Sequence, residues 1–211
     1  LKRDQVDIMA GIIWSNVMMA TMPVVTGAGK IMVGTNAGAS PLAGSQCNEL
    51  YFSASWNNDQ SPEALGKFLQ DKGVDDLYVL APNYQAGKDM VAGLKRYYKR
   101  TIVEEVYTKL GQQDYQAEIT QLRAKNPKAV FVFYPGGMGV NFVKQMSQAG
   151  LLPKVPLYTV FTVDGTTHPL PHPFFVIATQ NPGSDHGTFP LVAGQRDRFA
   201  ARLRLGIPSA D

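Results

Sequence analysis

Residues suited to binding a small molecule stand in loops that each follow a predicted strand. Between them, five such loops supply glycine or alanine, hydroxyl or amide side chains, and aromatic rings; they are 14–16, 36–39, 83–87, 134–138 and 161–164. Ligands of open parallel sheets bind beyond the carboxyl ends of the strands, so a site is expected here. Accessible N–H groups and an apolar wall favour a small neutral or anionic ligand. None of these loops sets a base beside a nucleophile.

One loop has the topology of a nucleotide site. The segment 136–139 follows a strong predicted strand and precedes a predicted helix, as a dinucleotide phosphate loop does. It lacks the G-x-G-x-x-G spacing, and Phe161 stands where an acidic residue would end the next strand. A nucleotide-dependent α/β enzyme that uses this loop remains the alternative of another class, and no cofactor is predicted.

Three further patterns could suggest a catalytic, metal-binding or anion-binding site, but the residues around them favour a simpler interpretation. His168 and His172 have the spacing of zinc ligands on a helix, but Pro169 and Pro171 forbid that helix. Ser15 has no G-x-S-x-G elbow around it. Arginines near the end of the chain are interpreted as a solvated helix face; they are Arg196, Arg198, Arg202 and Arg204.

Composition narrows the class of protein. The chain has 211 residues, of which 45% are hydrophobic and 18% charged, so disorder, collagen and coiled coil are excluded. A net charge of +3 with mixed signs predicts no nucleic-acid partner. No apolar run approaches the roughly 20 residues that cross a bilayer, so no direct membrane insertion is expected. Cys47 is the single cysteine, and the first residues are interpreted as an internal start without a signal peptide.

Strands and helices alternate along the chain. Strands are predicted at 6–13, 31–33, 50–55, 77–81, 101–108, 129–134, 156–160 and 174–179, and helices at 17–25, 61–73, 86–99, 114–125, 139–149 and 194–203. The helix at 61–73 is predicted to start with Ser61 as N-cap and Pro62 in its first turn, and to end at Gly73. Continuous apolar strands joined by helices indicate parallel sheets covered on both faces. The fold class is therefore α/β, doubly wound.

Five motifs occur in an order that resembles a known family. They are Trp14-Ser15-Asn16, Asn36-Ala37-Gly38-Ala39-Ser40 with Cys47, Ser55-Trp56-Asn57-Asn58-Asp59-Gln60, Asn83-Tyr84-Gln85-Ala86-Gly87-Lys88-Asp89, and Asp114-Tyr115. Together they resemble the periplasmic substrate-binding proteins of branched-chain amino-acid-type ABC transporters, the Leu/Ile/Val-binding family with the type I periplasmic-binding fold. The resemblance covers about residues 1–165 and fades afterwards.

The resemblance implies a receptor of two lobes that closes over its ligand by hinge motion. Residues 1–56 would form part of the N-terminal lobe, 57–173 the C-terminal lobe, and 174–211 the return crossing with a truncated N-lobe segment. The chain would thus be incomplete at both ends. The family also implies a periplasmic location, an ABC permease in the membrane as partner, and no enzymatic activity. The sequence leaves open whether Cys47 pairs with a cysteine ahead of Leu1.

The resemblance also implies which residues bind. Ser15 and the backbone of 37–39 would hold a carboxylate, while Tyr84 and the loop 134–138 would form the opposite wall. The candidate ligand-binding residues are Trp14, Ser15, Asn16, Asn36, Ala37, Gly38, Ala39, Tyr84, Tyr134, Gly136, Gly137, Phe161 and Asp164. Core packing remains open as the alternative role of Trp14 and Tyr134.

The ligand class depends on one departure from the family pattern. Amino-acid-binding members place an acidic residue near the position of Phe161 to pair with the ligand's ammonium group. Burying an unpaired ammonium costs several kcal/mol, so the sequence favours an aromatic or other apolar acid without an α-amino group. A branched-chain amino acid, with Asp164 as the ammonium partner, is the alternative.

Overall fold

The computed structural model describes residues 5–161. The chain divides into two compact units, Leu1–Gly165 and Thr166–Asp211, and the described residues belong to the first. The predicted strand at 174–179, the predicted helix at 194–203, Asp164, both discussed histidines and the four arginines lie outside the described residues. The lobe limits expected at 56 and 173 stay a prediction.

Strands and helices alternate throughout the described residues. In chain order they are β1 Ile8–Gly11, α1 Ser15–Gly27, β2 Ile31–Gly34, β3 Tyr51–Ser53, α2 Gln60–Asp71, β4 Leu77–Pro82, α3 Gln85–Tyr97, β5 Ile102–Thr108, α4 Gln116–Lys125, β6 Ala129–Val132, α5 Gly137–Gln148 and β7 Leu157–Thr159. The strands form a first sheet, in the order β1-β2-β3, and a second sheet, in the order β5-β4-β6-β7. All their pairings are parallel. The doubly wound α/β class is confirmed.

The second sheet is covered by side chains on both faces. Every residue of β4 and β6 is buried. Because neighbouring residues of a strand point to opposite faces, Tyr78 and Leu80 join a core with α4 and α5, while Leu77 and Val79 join another with α2 and α3. Continuous apolar strands therefore predicted this double covering correctly.

The first sheet has one buried face. Met18 and Met22 of α1 pack against Met32 of β2 in a smaller core. Ile8 of β1 is 58% exposed and Phe52 of β3 is 54% exposed. Among the described residues, no helix combines the length and the apolar character that crossing a bilayer demands.

Helix α2 begins earlier than its sequence predicts. Its first residue is Gln60 and its N-cap is Asp59, so the prediction that Ser61 caps the helix is wrong. The side-chain oxygen of Gln60 accepts a hydrogen bond from the backbone N–H of Asn57 at 3.1 Å, which fixes the turn one residue ahead of the serine. Gly73 ends the helix as predicted, with a φ of +70°.

Candidate functional site

A cavity of about 610 Å³ opens beside the loops that follow the strands of both sheets. Each of the seven described strands contributes a lining residue from the loop at its carboxyl end. The lining residues are Ile13, Trp14, Ser15, Asn36, Trp56, Asn58, Tyr84, Ala86, Met90, Leu110, Gly111, Gln113, Phe133, Pro135, Gly136, Gly137, Met138 and Phe161. This is the edge where open parallel sheets bind ligands.

A second cavity, of about 470 Å³, lies at the opposite end of the second sheet. It opens around Arg123, Pro127, Lys128 and Lys154, near the amino ends of β6 and β7. None of the thirteen predicted site residues lines it. We therefore take the larger cavity as the candidate site.

Seven of the predicted residues come together in the larger cavity. They are Trp14, Ser15, Asn36, Tyr84, Gly136, Gly137 and Phe161. Five others lie outside its lining: Asn16, Ala37, Gly38, Ala39 and Tyr134. Asp164 lies outside the described residues.

Aromatic rings form two walls of the cavity. Trp14 meets Tyr84 edge to face with ring centroids 5.8 Å apart, and Tyr84 stacks on Phe133 at 6.4 Å. Trp56 stacks on Phe161 with centroids 5.0 Å apart and an angle of 18° between the rings. These walls offer flat apolar surface to a planar ligand.

A buried polar network stands behind Ser15. The side-chain nitrogen of Asn58 donates to Ser15 Oγ at 3.0 Å and to Asp89 Oδ2 at 2.9 Å. The side chains of all three residues are buried. Ser15 begins α1 and Asp89 lies in α3, so this network joins the loops that follow the two sheets.

The segment 37–39 supports the cavity from behind its wall. Ala37 and Ala39 are buried in the first core, and the Ala37 N–H donates to Ile12 O at 3.1 Å. A Cβ on Gly38 would collide with the carbonyl oxygen of Trp56. The Gly38 carbonyl accepts from the Asn58 N–H at 2.8 Å. In this structure the glycine permits close approach of two backbones, and the expected cluster of N–H groups does not line the cavity.

Tyr134 packs in the core of the second sheet. Its ring lies 4.9 Å from that of Tyr115 and 5.3 Å from that of Phe142. Burial is the main cause that raises the pKa of Tyr134. The preceding residue, Phe133, points the other way and lines the cavity. The strand-like run 129–134 cannot by itself reveal which of its two last residues faces the ligand, because alternation fixes only that they differ.

Three helices begin at the cavity. Ser15 is the first residue of α1, Ala86 the second of α3 and Gly137 the first of α5, and all three line it. Unpaired N–H groups and the helix dipole make a helix N-terminus favourable for an anion. Gly136 caps α5 with a φ of +62°, a conformation that favours glycine.

The described lining carries no Lys, Arg, Asp or Glu side chain. Tyr84 supplies a phenol, whose pKa is raised by burial first and by the Asp89 charge second. Within 5–161, no cluster of three or more His, Cys, Asp or Glu residues is placed to hold a metal ion. The arrangement suits binding through aromatic contact, neutral hydrogen-bond donors and helix termini.

Sequence reasoning did not count Trp56, Phe133, Asn58 or Asp89 among the site residues. Trp56 and Asn58 lie in a motif already quoted for the family resemblance, and so does Asp89. The spacing of these residues in the sequence does not indicate that Asn58 and Asp89 are in contact. Only the fold brings Asn58 against Asp89, which is 31 residues later in the chain.

Two curated proteins match shorter stretches of the chain. The uncharacterized protein YeaC of Bacillus subtilis is 40% identical over 102 residues, which are 44% of this chain and 32% of that protein. The chaperone MoxR1 of Mycobacterium tuberculosis is 46% identical over 50 residues, which are 24% of this chain and 13% of that protein. The chain thus spans about a third or less of either protein.

Solved structures match a larger share. A solute-binding protein of an ABC transporter from R. palustris, in complex with benzoate, is 25% identical with a TM-score of 0.69 and covers 74% of this chain. Another, from Rhodopseudomonas palustris BisB5 with 3,4-dihydroxybenzoic acid, is 27% identical with a TM-score of 0.66 and the same coverage. This chain corresponds to 44% and 43% of those chains.

A branched-chain amino-acid ABC transporter ligand-binding protein from Burkholderia xenovorans shares the fold, at 22% identity, a TM-score of 0.58 and coverage of 74% of this chain and 43% of that one. A family model described as periplasmic binding protein matches residues 1–186. That match includes most of the chain and all of its described residues. It confirms the resemblance of the sequence motifs, and the chain belongs to the periplasmic binding protein family.

Proposed function

We propose that residues 1–165 belong to an extracytoplasmic receptor of an ABC importer that captures a small aromatic carboxylate. One observation carries the proposal: aromatic walls and three helix N-termini meet in a cavity whose described lining has no charged side chain. A flat apolar ring would lie against the walls, and the carboxylate would receive donors from Ser15 and the helix termini.

The helix termini supply the favourable field for an anion. Each N-terminus contributes typically about 0.3–1 kcal/mol at an exposed site and more where water is excluded. Ser15 adds a hydroxyl donor at the start of α1, and Tyr84 adds a phenol, which is protonated at neutral pH. An anion would therefore be held without a Lys or Arg partner.

The same lining disfavours an amino acid. An ammonium group needs an anionic or strong acceptor partner, and burying it unpaired costs several kcal/mol. Asp89 is the carboxylate of the network, but Asn58 stands between it and Ser15. Ser40, Asn58 and Gln85 already donate to this carboxylate. A branched-chain amino acid paired with Asp164 is the alternative ligand.

The relatives support an aromatic acid. The two solute-binding proteins that are 25% and 27% identical carry benzoate and 3,4-dihydroxybenzoic acid. Contacts from the loops of both sheets would favour the closed state, and the closed form would be recognised by a membrane permease. Catalysis has no part in this function.

Ligand titration tests the proposal. Trp14 and Trp56 are the two tryptophans of the chain and both line the cavity, so benzoate binding is expected to change the tryptophan fluorescence. Calorimetry should find binding of benzoate and none of leucine or ATP. Trp14→Ala is expected to weaken benzoate binding roughly tenfold, since an aromatic contact contributes about 0.5–1.5 kcal/mol beyond burial.

The control is Tyr97→Ala, which removes an exposed ring of α3 outside the cavity and should leave binding unchanged. Binding of leucine in preference to benzoate would replace the aromatic acid by the amino-acid alternative. Binding of ATP alone would favour the nucleotide-dependent enzyme at 136–139 and overturn the receptor.

We infer that this function is confined to the first unit of the chain. The motif resemblance fades after residue 165, the second unit begins at Thr166, and the solved receptors cover 74% of the chain. The family model continues beyond that limit, to residue 186. Residues 1–165 alone should bind benzoate as the full chain does, and a loss of binding on truncation would refute this assignment.

A further inference from the structure

The carboxylate of Asp89 accepts three hydrogen bonds from neutral donors. The Ser40 N–H donates to Oδ2 at 3.0 Å and Asn58 Nδ2 to the same oxygen at 2.9 Å. Gln85 Nε2 donates to Oδ1 at 2.8 Å. Asp89 does not line the cavity, but Asn58 and Ser15 do. Asn58 connects the two, because its side chain donates hydrogen bonds to both Asp89 and Ser15.

Asp89 decides which way the Asn58 amide faces. An ionised carboxylate only accepts hydrogen bonds, so it selects the NH₂ group of Asn58 and repels its oxygen. One N–H of that group then points at Asp89 and the other at Ser15 Oγ. The orientation of an amide is otherwise nearly free, because its oxygen and nitrogen have almost the same size.

The orientation of the amide fixes the role of the Ser15 hydroxyl. Because Ser15 Oγ accepts from Asn58, its own proton is left for another partner. Ser15 is buried and lines the cavity, so this proton is available to a ligand bound there. If the amide were reversed, its oxygen would accept a hydrogen bond from the Ser15 hydroxyl. Ser15 could then only accept a hydrogen bond from the ligand.

We propose that Asp89 is a positioning residue that, through Asn58, makes Ser15 a hydrogen-bond donor to the ligand and so sets a preference for carboxylates over carboxamides. The inference rests on the proposed function, since it assumes an anionic aromatic ligand in the cavity. A carboxylate can only accept hydrogen bonds, whereas a carboxamide can also donate them. The affinities of the two ligands should therefore respond differently when Ser15 changes from a donor to an acceptor.

The test compares benzoate with benzamide, which have the same ring. Asp89→Ala removes the acceptor and frees the amide to reverse. It should weaken benzoate binding about tenfold to a hundredfold, the effect of one hydrogen bond to a charged group, and leave benzamide binding unchanged or tighter. The measured quantity is the ratio of the two dissociation constants in the full chain.

Asp89→Asn provides the conservative rescue. Its amide oxygen can stay where Asp89 Oδ2 accepts from Ser40 and Asn58, while Gln85 turns its own oxygen to the new NH₂ group. Relative to benzamide, this variant should bind benzoate at least as tightly as the wild type does. Losing the negative charge would by itself favour benzoate in both variants. Weaker benzoate binding in Asp89→Ala but not in Asp89→Asn would therefore be caused by reversal of the Asn58 amide.

A double-mutant cycle separates positioning from general damage. Ser15→Ala should weaken benzoate binding, and adding Asp89→Ala to it should change the ratio no further, because Asp89 acts through the serine. Asp89→Leu, which fills the space without an acceptor, replaces the alanine variant if that variant fails to fold. Asp71→Ala, at the exposed end of α2, is the matched control and should alter neither ligand.

Two failures are distinguishable. If the wild-type chain binds no benzoate, the proposed function fails and the inference fails with it. If the wild type binds benzoate but Asp89→Ala and Asp89→Leu keep its benzoate-to-benzamide ratio, the positioning role alone is overturned. An equal loss of benzoate in the Ser15→Ala background also overturns it, because Asp89 would then act by another route.

Discussion

The two sheets of this chain bury their strands to different extents. The second sheet has a hydrophobic core on each face, and the strands β4 and β6 between them are fully buried. The first sheet has one core, under α1, while Ile8 and Phe52 remain exposed. Buried apolar area is the main favourable term in folding, so the second sheet holds the larger share of the stability.

The cavity takes its residues from both regions. Trp14, Ser15 and Asn36 follow strands of the first sheet, whereas Tyr84 and Phe133 follow strands of the second. The polar network of Ser15, Asn58 and Asp89 joins the less covered region to the better packed one. The site therefore depends on the contacts between the two regions as much as on the packing of either core.

The largest expected difference between the two sheets is in the free energy of unfolding, when one phenylalanine of each sheet is replaced by alanine. Phe131 of β6 is fully buried, while Phe52 of β3 is 54% exposed. Phe131→Ala should lower the free energy of unfolding by about 3–5 kcal/mol, because it leaves a cavity in a packed core. Phe52→Ala is the matched control and should change it by less than about 0.5 kcal/mol.

Urea unfolding followed by circular dichroism measures both variants. Equal losses would contradict the difference between the sheets. A large loss for Phe52→Ala would mean that another surface covers β3 in solution.

An intermediate effect is expected at the junction of the two regions. Gly38→Ala places a methyl group against the Trp56 carbonyl, where backbone rather than a flexible side chain must move. We expect a loss of roughly 1–3 kcal/mol in unfolding free energy, as for other overpacked sites, together with weaker benzoate binding.

Gly27→Ala is the control for Gly38→Ala. Gly27 ends α1, and an added Cβ would meet nothing within 4 Å, so stability should hold or rise slightly. Thermal unfolding and calorimetric titration of both variants give the comparison. An unchanged Gly38→Ala protein would remove the argument that this junction is closely packed.

The smallest expected effect appears at high pH. Burial, followed by the charges of Glu104 and Glu118, raises the pKa of Tyr78 in the second sheet to about 12. In the unfolded chain a tyrosine titrates near pH 10, so the unfolded state loses its proton first. The stability from neutral Tyr78 is therefore complete below about pH 10 and is lost as the pH rises from about 10 to about 12.

Tyr78→Phe should flatten this alkaline loss, measured as the unfolding midpoint between pH 9 and pH 12. Tyr51 of the first sheet is partly exposed, and although burial also raises its pKa, a hydrogen bond with Ser53 acts against the rise. Tyr51→Phe should therefore flatten the loss less. The opposite order would contradict the greater burial of tyrosine in the second sheet.

Much of the fold follows from local patterns. The run Leu77–Pro82 is apolar at nearly every position, which predicts a strand buried on both faces, and Gly73 marks the end of α2 because it tolerates a positive φ. The start of α2 could not be predicted equally well. Asp59 and Ser61 are both favoured N-cap residues, and propensity alone does not rank them.

The site was predicted in part. Loops after strands were the right places to search, so Trp14, Ser15 and Tyr84 lie in the lining of one cavity. Tyr134 and Phe133 show the limit, because neighbours in a strand look equivalent in sequence while one faces the core and the other the cavity.

The sequence by itself determined the elements, the parallel class of the sheets and the loops that carry the site. These depend on hydrophobic period, turn residues and motif order, which are properties of neighbouring residues. The tertiary structure decided that Asn58 stands between Ser15 and Asp89, and that three helices begin at one cavity. Hydrogen bonds and helix termini act over a few ångströms in space, and residues far apart in the chain satisfy that distance only once the sheets have formed.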